Sequence, residues 1–173
     1  MRGRRRSAPA ATGSELDPEK AFAYAVRALA QKSLTEKELT DRLRRRGANP
    51  ATVAGTLERL RDYGFVNDAA LAARSAEEAR VGVHAIRARL KARGLDEHTI
   101  EDALSGRDPD LDVEGARALV ERYGAKWAGE RAYSKGYAFL ARRGFPSVVI
   151  AEALADLRRR ASPEDLAVEE EEP

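Results

Sequence analysis

Apolar residues recur at helical spacing along most of this chain. In LTEKELTDRLRRRG, Leu39 and Leu43 stand four apart among charged residues, which predicts one apolar stripe on an otherwise polar helix. Val53, Leu57 and Leu60 repeat the pattern at i, i+4 and i+7. The boundaries are also marked. Thr35 precedes Glu38 by three, with Leu34 and Leu39 around them, a capping box with a hydrophobic staple. Asn49-Pro50 supplies an N-cap and a first-turn proline. Gly47 follows Arg46 at the place where a left-handed residue closes a helix and a cation meets its dipole. A leading helix opens at Asp17-Pro18, with Phe22, Val26 and Leu29 as its stripe.

The pattern occurs three times. LRRRGANPATVAGTLERL, LKARGLDEHTIEDAL and LARRGFPSVVIAEAL each carry Leu, then Arg-Gly at the third and fourth positions after it. Six residues past each glycine stands Val53, Ile100 or Ile150, and ten past it Leu57, Leu104 or Leu154. Asp96 takes the cap position of Asn49 in the second copy. Pro146 takes it in the third, where no capping side chain is evident. Leading helices are expected over Asp68–Val81, opened by Asn67, and from Asp112 through Tyr123. The predicted fold is all-α, an elongated array of three tandem three-helix repeats with nine helices. The expected divisions are 17–66, 67–106 and 107–160, between a basic disordered tail at 1–16 and an acidic one at 161–173. SGRDPDL at 105–111 reads as a flexible joint. Thin units of this kind lean on their neighbours for stability.

Composition narrows the chemistry. Hydrophobic residues make up 43% but aromatics only 6%, so the core should be aliphatic and shallow rather than a deep enzyme pocket. Cysteine is absent and there are two histidines, which removes disulfides and thiolate metal sites. No metal or cofactor is expected. No apolar run approaches the roughly 20 residues of a membrane span, and MRGRRR is followed by none. A soluble cytoplasmic protein, most simply a monomer with no membrane partner, is expected.

The small net charge hides a polarity. Residues 20–66 carry ten basic and five acidic side chains, whereas 169–172 reads EEEE. Basic surface of this kind suits an anionic partner. By helical phase, Arg44 and Arg45 point away from Leu39 and Leu43, with Arg42 on the flank. Arg87, Lys91 and Arg142 are their counterparts in the later copies. These six are the candidate partner-binding residues. Arg46, Arg93 and Arg143, each just before the conserved-spacing glycine, are assigned instead to helix ends with packed stems. The acidic stretch 164–173 follows Arg158–Arg160 and is expected to shield basic surface while being dispensable for folding. No phosphate loop, zinc-binding H-E-x-x-H or nucleophile elbow is present, and no catalytic residue is assigned.

KAFAYAVRALAQKSLTEKELTDRLRRRG at 20–47, YGFVNDAALA at 63–72, IRARLKARGL at 86–95 and FLARRGFPSVVIAEAL at 139–154 together resemble the RecX family of regulators of the bacterial recombinase RecA. The resemblance covers about 17–157. It implies a non-enzymatic protein that binds the RecA nucleoprotein filament. Such a protein limits filament growth and RecA's ATPase, strand-exchange and coprotease activities. The arginines would then meet acidic filament residues or the backbone of single- or double-stranded DNA directly. A rival reading takes LTEKELTDRLRRRGANPATVAGTLERLRDYGFV as a helix-turn-helix transcription factor, with Thr52, Thr56, Glu58, Arg59 and Arg61 as its readers.

Overall fold

The computed structural model describes residues 15–127, 129 and 131–166. Among them are eleven α-helices, one 3-10 turn and no strand. The chain forms two compact units, one ending at Asn67 and the other beginning at Asp68.

In the first unit, α1 (Pro18–Gln31), α2 (Glu36–Arg45) and α3 (Pro50–Asp62) start at side-chain caps. The Asp17 carboxylate accepts from the Glu19 and Lys20 amides. The capping box is closed both ways. The Glu38 amide donates to Thr35 Oγ1 at 3.1 Å, and the Thr35 amide donates to Glu38 Oε2 at 3.0 Å. Asn49 Oδ1 accepts from the Thr52 amide at 2.6 Å. Leu39, Leu43, Val53, Leu57 and Leu60 are buried together, as their periodicity predicts. The stripe of α1 differs from expectation. Ala21, Ala25 and Ala28 form its buried face, while Phe22, Val26 and Leu29 are half-buried on the flank. A face of methyl groups lets α1 approach α3 closely, and the larger side chains then lap over the edge.

The second unit begins with α4 (Asp68–Ala76), α5 (Val83–Ala92) and α6 (Glu97–Ser105) around Leu71, Ile86, Leu90, Ile100 and Leu104. It continues with α7 (Asp110–Tyr123), a 3-10 turn (Gly124–Lys126), α8 (Ala132–Ala141), α9 (Ser147–Ala153), α10 (Ala155–Arg158) and α11 (Pro163–Leu166). A second core there gathers Leu119, Trp127, Tyr133, Tyr137, Leu140, Phe145, Ile150 and Leu154. The three glycines at matched positions, Gly47, Gly94 and Gly144, have φ of 87°, 87° and 78°, the left-handed conformation that ends a helix.

Several boundaries are corrected. The helix α4 stops at Ala76, five residues short of Val81, because residues 77–81 form turns against Arg107. The expected flexible joint is a clasp. The Arg107 side chain is 4% exposed, and its guanidinium donates to the carbonyls of Ala76, Glu78 and Val81 and to Asp112 Oδ1. Asp112 is therefore no cap, and α7 starts two residues earlier. The expected last helix breaks at Leu154 into α9 and α10.

Glycine also sets the close contacts inside this unit. A Cβ on Gly82 would overlap the Gly144 carbonyl, and one on Gly115 would overlap that of Ala79. Through the first contact the Gly82 amide donates to Arg143 O at 2.9 Å and the His84 amide to Gly144 O at 3.0 Å. Carbonyls of the turn that follows α8 thus meet amides at the start of α5, and the His84 amide is one that a helix start leaves without an internal partner.

The chain ends also differ from expectation. Residues 1–14 and 167–173 lie outside the described residues. Leu16, placed in the basic tail by sequence, packs on the first core, and its amide donates to Gly47 O. Residues 161–166, expected to be part of a disordered acidic tail, fold against the third helix set. Asp165 is buried, and its carboxylate accepts from the Tyr133 and Ser134 amides at 3.0 and 2.9 Å. It supplies the N-cap that α8 lacks locally, since Arg131 makes no capping contact.

Candidate functional site

The six candidate cations divide by what holds them. Arg44 and Arg45 lie on the outer face of α2 and are exposed. Arg44 has no carboxylate partner among the described residues, and Arg45 Nε donates only to the Asp41 carbonyl of its own helix, at 3.1 Å. Between them and the helix start, Lys37 is tied to Asp41 at 3.0 Å. Arg42 is half-buried beside Tyr24. Hydrogen bonding from Arg46, and secondly from Arg42, holds the Tyr24 hydroxyl below its usual range.

In the second unit the candidates diverge from the expected pattern of uniformly free cations. Arg87 is committed to carboxylates: its guanidinium pairs with Glu97 and, at 2.5 Å, with Glu101. Those pairs, Glu101 foremost, raise its pKa further. Lys91 remains largely exposed, 3.9 Å from the other Glu97 oxygen. Arg142 is exposed at the end of a groove of about 500 Å³ on α8, lined also by Trp127, Arg131, Ser134, Lys135 and Phe139.

The arginines assigned to helix ends do pack. Arg46 lies over the Tyr24 ring at 4.0 Å and Arg143 over Phe139 at 3.8 Å, within cation–π range. Sequence reasoning missed how far this extends in the third helix set. Tyr123 and Trp127 flank Phe139 at 5.2 and 5.1 Å, and Arg122 and Lys126 each approach Tyr123 at 5.4 Å. Within the sequence the only local signal was the nearness of Arg122, Tyr123, Lys126 and Trp127 to one another; Phe139 and Arg143 join them only through the fold.

The helix-turn-helix alternative places α3 in a major groove. Thr52 and Thr56 are buried, however. Arg59 is paired with Glu19 at 2.7 Å and Arg61 with Glu36 at 2.6 Å. Four of the five proposed readers are thereby turned inward or engaged within the fold. The histidine side chains are exposed, with His98 Nδ1 3.5 Å from Asp102 on the surface.

Comparison with known proteins gives this geometry a family. The chain is 36% identical to the regulatory protein RecX of Deinococcus radiodurans, over 95% of this chain and 87% of that protein. The chain belongs to the RecX family. A family model for the first three-helix domain of RecX matches residues 21–60, within α1 to α3. The RecX of Chromohalobacter salexigens is 35% identical over 76% of this chain and 88% of its own length. The crystal structure of RecX from Lactobacillus salivarius has the same fold, with a TM-score of 0.71 at 23% identity, covering 82% of this chain and 97% of that one. The RecX fold is thus an all-helical repeat protein in this chain too, and the relatives are named as regulators. No helix among the described residues is long and apolar enough to cross a membrane.

Proposed function

We propose that this RecX-family chain binds the RecA nucleoprotein filament in the cytoplasm and restrains it. It acts by occupying the filament surface rather than by catalysis, limiting growth and with it ATPase, strand-exchange and coprotease activity. The observation that carries the reading is the pair Arg44 and Arg45, exposed on α2 and held by no carboxylate among the described residues. Many other arginines of the fold, such as Arg59, Arg61, Arg87, Arg89 and Arg107, are engaged internally. Arg42 extends the proposed contact surface of the first unit, and Lys91 and Arg142 are proposed contacts on the second, where Arg87 contributes least because of its two glutamates. Cations on separate units of one chain can engage a repetitive partner at more than one point, which raises affinity through effective concentration. Guanidinium groups suit both carboxylates and phosphates, so the filament's acidic side chains and its DNA both qualify as ligands.

Co-sedimentation with RecA filaments on single-stranded DNA tests the binding. The chain should pellet with the filament at low salt and be released as salt rises. A chain that stays in the supernatant at every salt concentration contradicts the proposal.

A further inference from the structure

Four helices among the described residues, α2, α3, α5 and α8, close in one way. A glycine with φ between 68° and 87° turns the chain: Gly47, Gly64, Gly94 or Gly144. The amide of the next residue then donates to the carbonyl of a buried leucine five residues earlier: Ala48 to Leu43, Phe65 to Leu60, Leu95 to Leu90 and Phe145 to Leu140. This closure commonly folds an apolar residue after the glycine back onto the last turn of the helix. Ala48, Leu95 and Phe145 are accordingly buried, at 8%, 6% and 1% exposure. Phe65 departs from the pattern. It is 50% exposed, beside Tyr63 at 64%.

The Tyr63 and Phe65 rings lie 6.0 Å apart, and Tyr63 lies 5.9 Å from the half-buried ring of Phe22. Arg59 covers Phe22 at 4.1 Å. Among the described residues, the only other large apolar side chain this exposed is Val148. The fold thus uses the same helix closure four times and turns the apolar residue outward once, next to a second exposed ring.

We infer that Tyr63 and Phe65 form a docking surface for a protein segment in which an apolar anchor is flanked by Lys or Arg. The anchor follows from the rings, since adjoining exposed aromatics are where binding energy concentrates in protein interfaces. The basic flanks follow from the charge around them. Arg59 and Arg61 are already engaged, with Glu19 and Glu36 respectively. Asp62 adjoins Tyr63, and Glu58 stands one turn earlier on α3; both are exposed and in no ion pair among the described residues. A nucleic-acid strand would bring phosphates to these carboxylates and find the nearby arginines committed. A second copy docked through the same patch would set acidic rim against acidic rim.

The surface uses none of the cations proposed to meet the filament. The contact needs neither RecA nor DNA, so a peptide assay can fail while filament co-sedimentation succeeds, and the reverse. The probe is a fluorescein-labelled peptide with Leu-Phe-Leu between three lysines on each side, read by anisotropy with the full chain. One control replaces the lysines by glutamates, and another replaces Leu-Phe-Leu by serines. The parent chain should bind the lysine-flanked probe about tenfold more tightly than either control. Tyr63→Ser with Phe65→Ser should weaken that binding by about tenfold, with helicity and melting temperature close to the parent's. Glu58→Lys with Asp62→Lys keeps both rings and should shift the preference toward the glutamate-flanked peptide, so the proposal stays testable if the ring variant fails to fold.

Failure of the lysine-flanked probe to bind would overturn the proposal, as would equal binding of either control. Parental affinity in a folded ring variant, or an unchanged preference after the two lysine substitutions, would do the same. Two further results would reassign the surface. Loss of oligothymidylate binding in the ring variant would make it a nucleic-acid contact, and loss of a parent dimer in sedimentation would make it a contact between copies.

Discussion

Arg107 and Asp112 form a buried ion pair, Nη2 to Oδ1 at 2.5 Å, with side chains 4% and 10% exposed. The same guanidinium holds the carbonyls of Ala76, Glu78 and Val81. One side chain thus fixes the turn after α4 and the start of α7. Removing one partner of such a pair leaves a buried charge uncompensated, so Arg107→Ala should cost about 3–5 kcal/mol. Arg87→Ala, which breaks exposed pairs, should stay within about 1 kcal/mol. Urea denaturation of both variants checks this. Equal losses would show that the clasp is no more than a surface contact.

Two mid-helix glycines should respond in opposite ways to alanine. A Cβ on Gly55 in α3 meets nothing within 4 Å, whereas one on Gly115 in α7 overlaps the Ala79 carbonyl. Gly55→Ala should stabilise the first unit by up to about 1 kcal/mol through helix propensity. Gly115→Ala should destabilise by about 1–3 kcal/mol through overpacking. Melting temperatures that move in the same direction would contradict the close approach at Ala79.

The local rules that govern helix ends made much of this fold legible. Thr35, Asn49 and Asp96 cap where their spacing predicts, and the three glycines share one conformation, because these interactions reach only a few residues. Arg107, Gly82, Gly115 and Asp165 were not legible in the same way. Each acts on backbone 30 or so residues distant, or more, and Arg107 and Asp165 sit in polar stretches that resemble linkers. Among candidate cations, helical phase identified exposure for Arg44, Arg45 and Arg142. It could not see that Glu97 and Glu101 from the next helix close over Arg87.

In the first unit, Thr35→Ala removes half of the capping box and should cost about 1 kcal/mol. Leu43→Ala empties a fully buried site and should cost about 2–5 kcal/mol. Thermal denaturation beside Lys37→Ala provides the scale. A Leu43→Ala shift no larger than that of Lys37→Ala would contradict the inward assignment.

Asp165 gives the third helix set an acid sensitivity. Burial acts to raise its pKa, but hydrogen bonds from Ser134 and the Tyr133 amide, with Arg131 nearby, outweigh it and hold the carboxyl below its usual value. A folded pKa below the unfolded value of about 3.9 means stability that is present above that pH and lost as pH falls through the folded pKa. Asp165→Asn should therefore be less stable than the parent at neutral pH, and the gap should close in acid. A gap that stays constant down to about pH 2 would remove the carboxylate's charge from the account.

RecA's ATPase on single-stranded DNA, titrated with the parent chain and with the Arg44→Glu, Arg45→Glu double variant, bears most directly on filament restraint by exposed cations. The parent should suppress hydrolysis. The variant should need about tenfold more protein, equivalent to about 1.4 kcal/mol of lost binding, while keeping its helicity and melting temperature. Suppression by the variant at the parent's concentration would contradict the account and move the contact to the exposed aromatic surface of Tyr63 and Phe65.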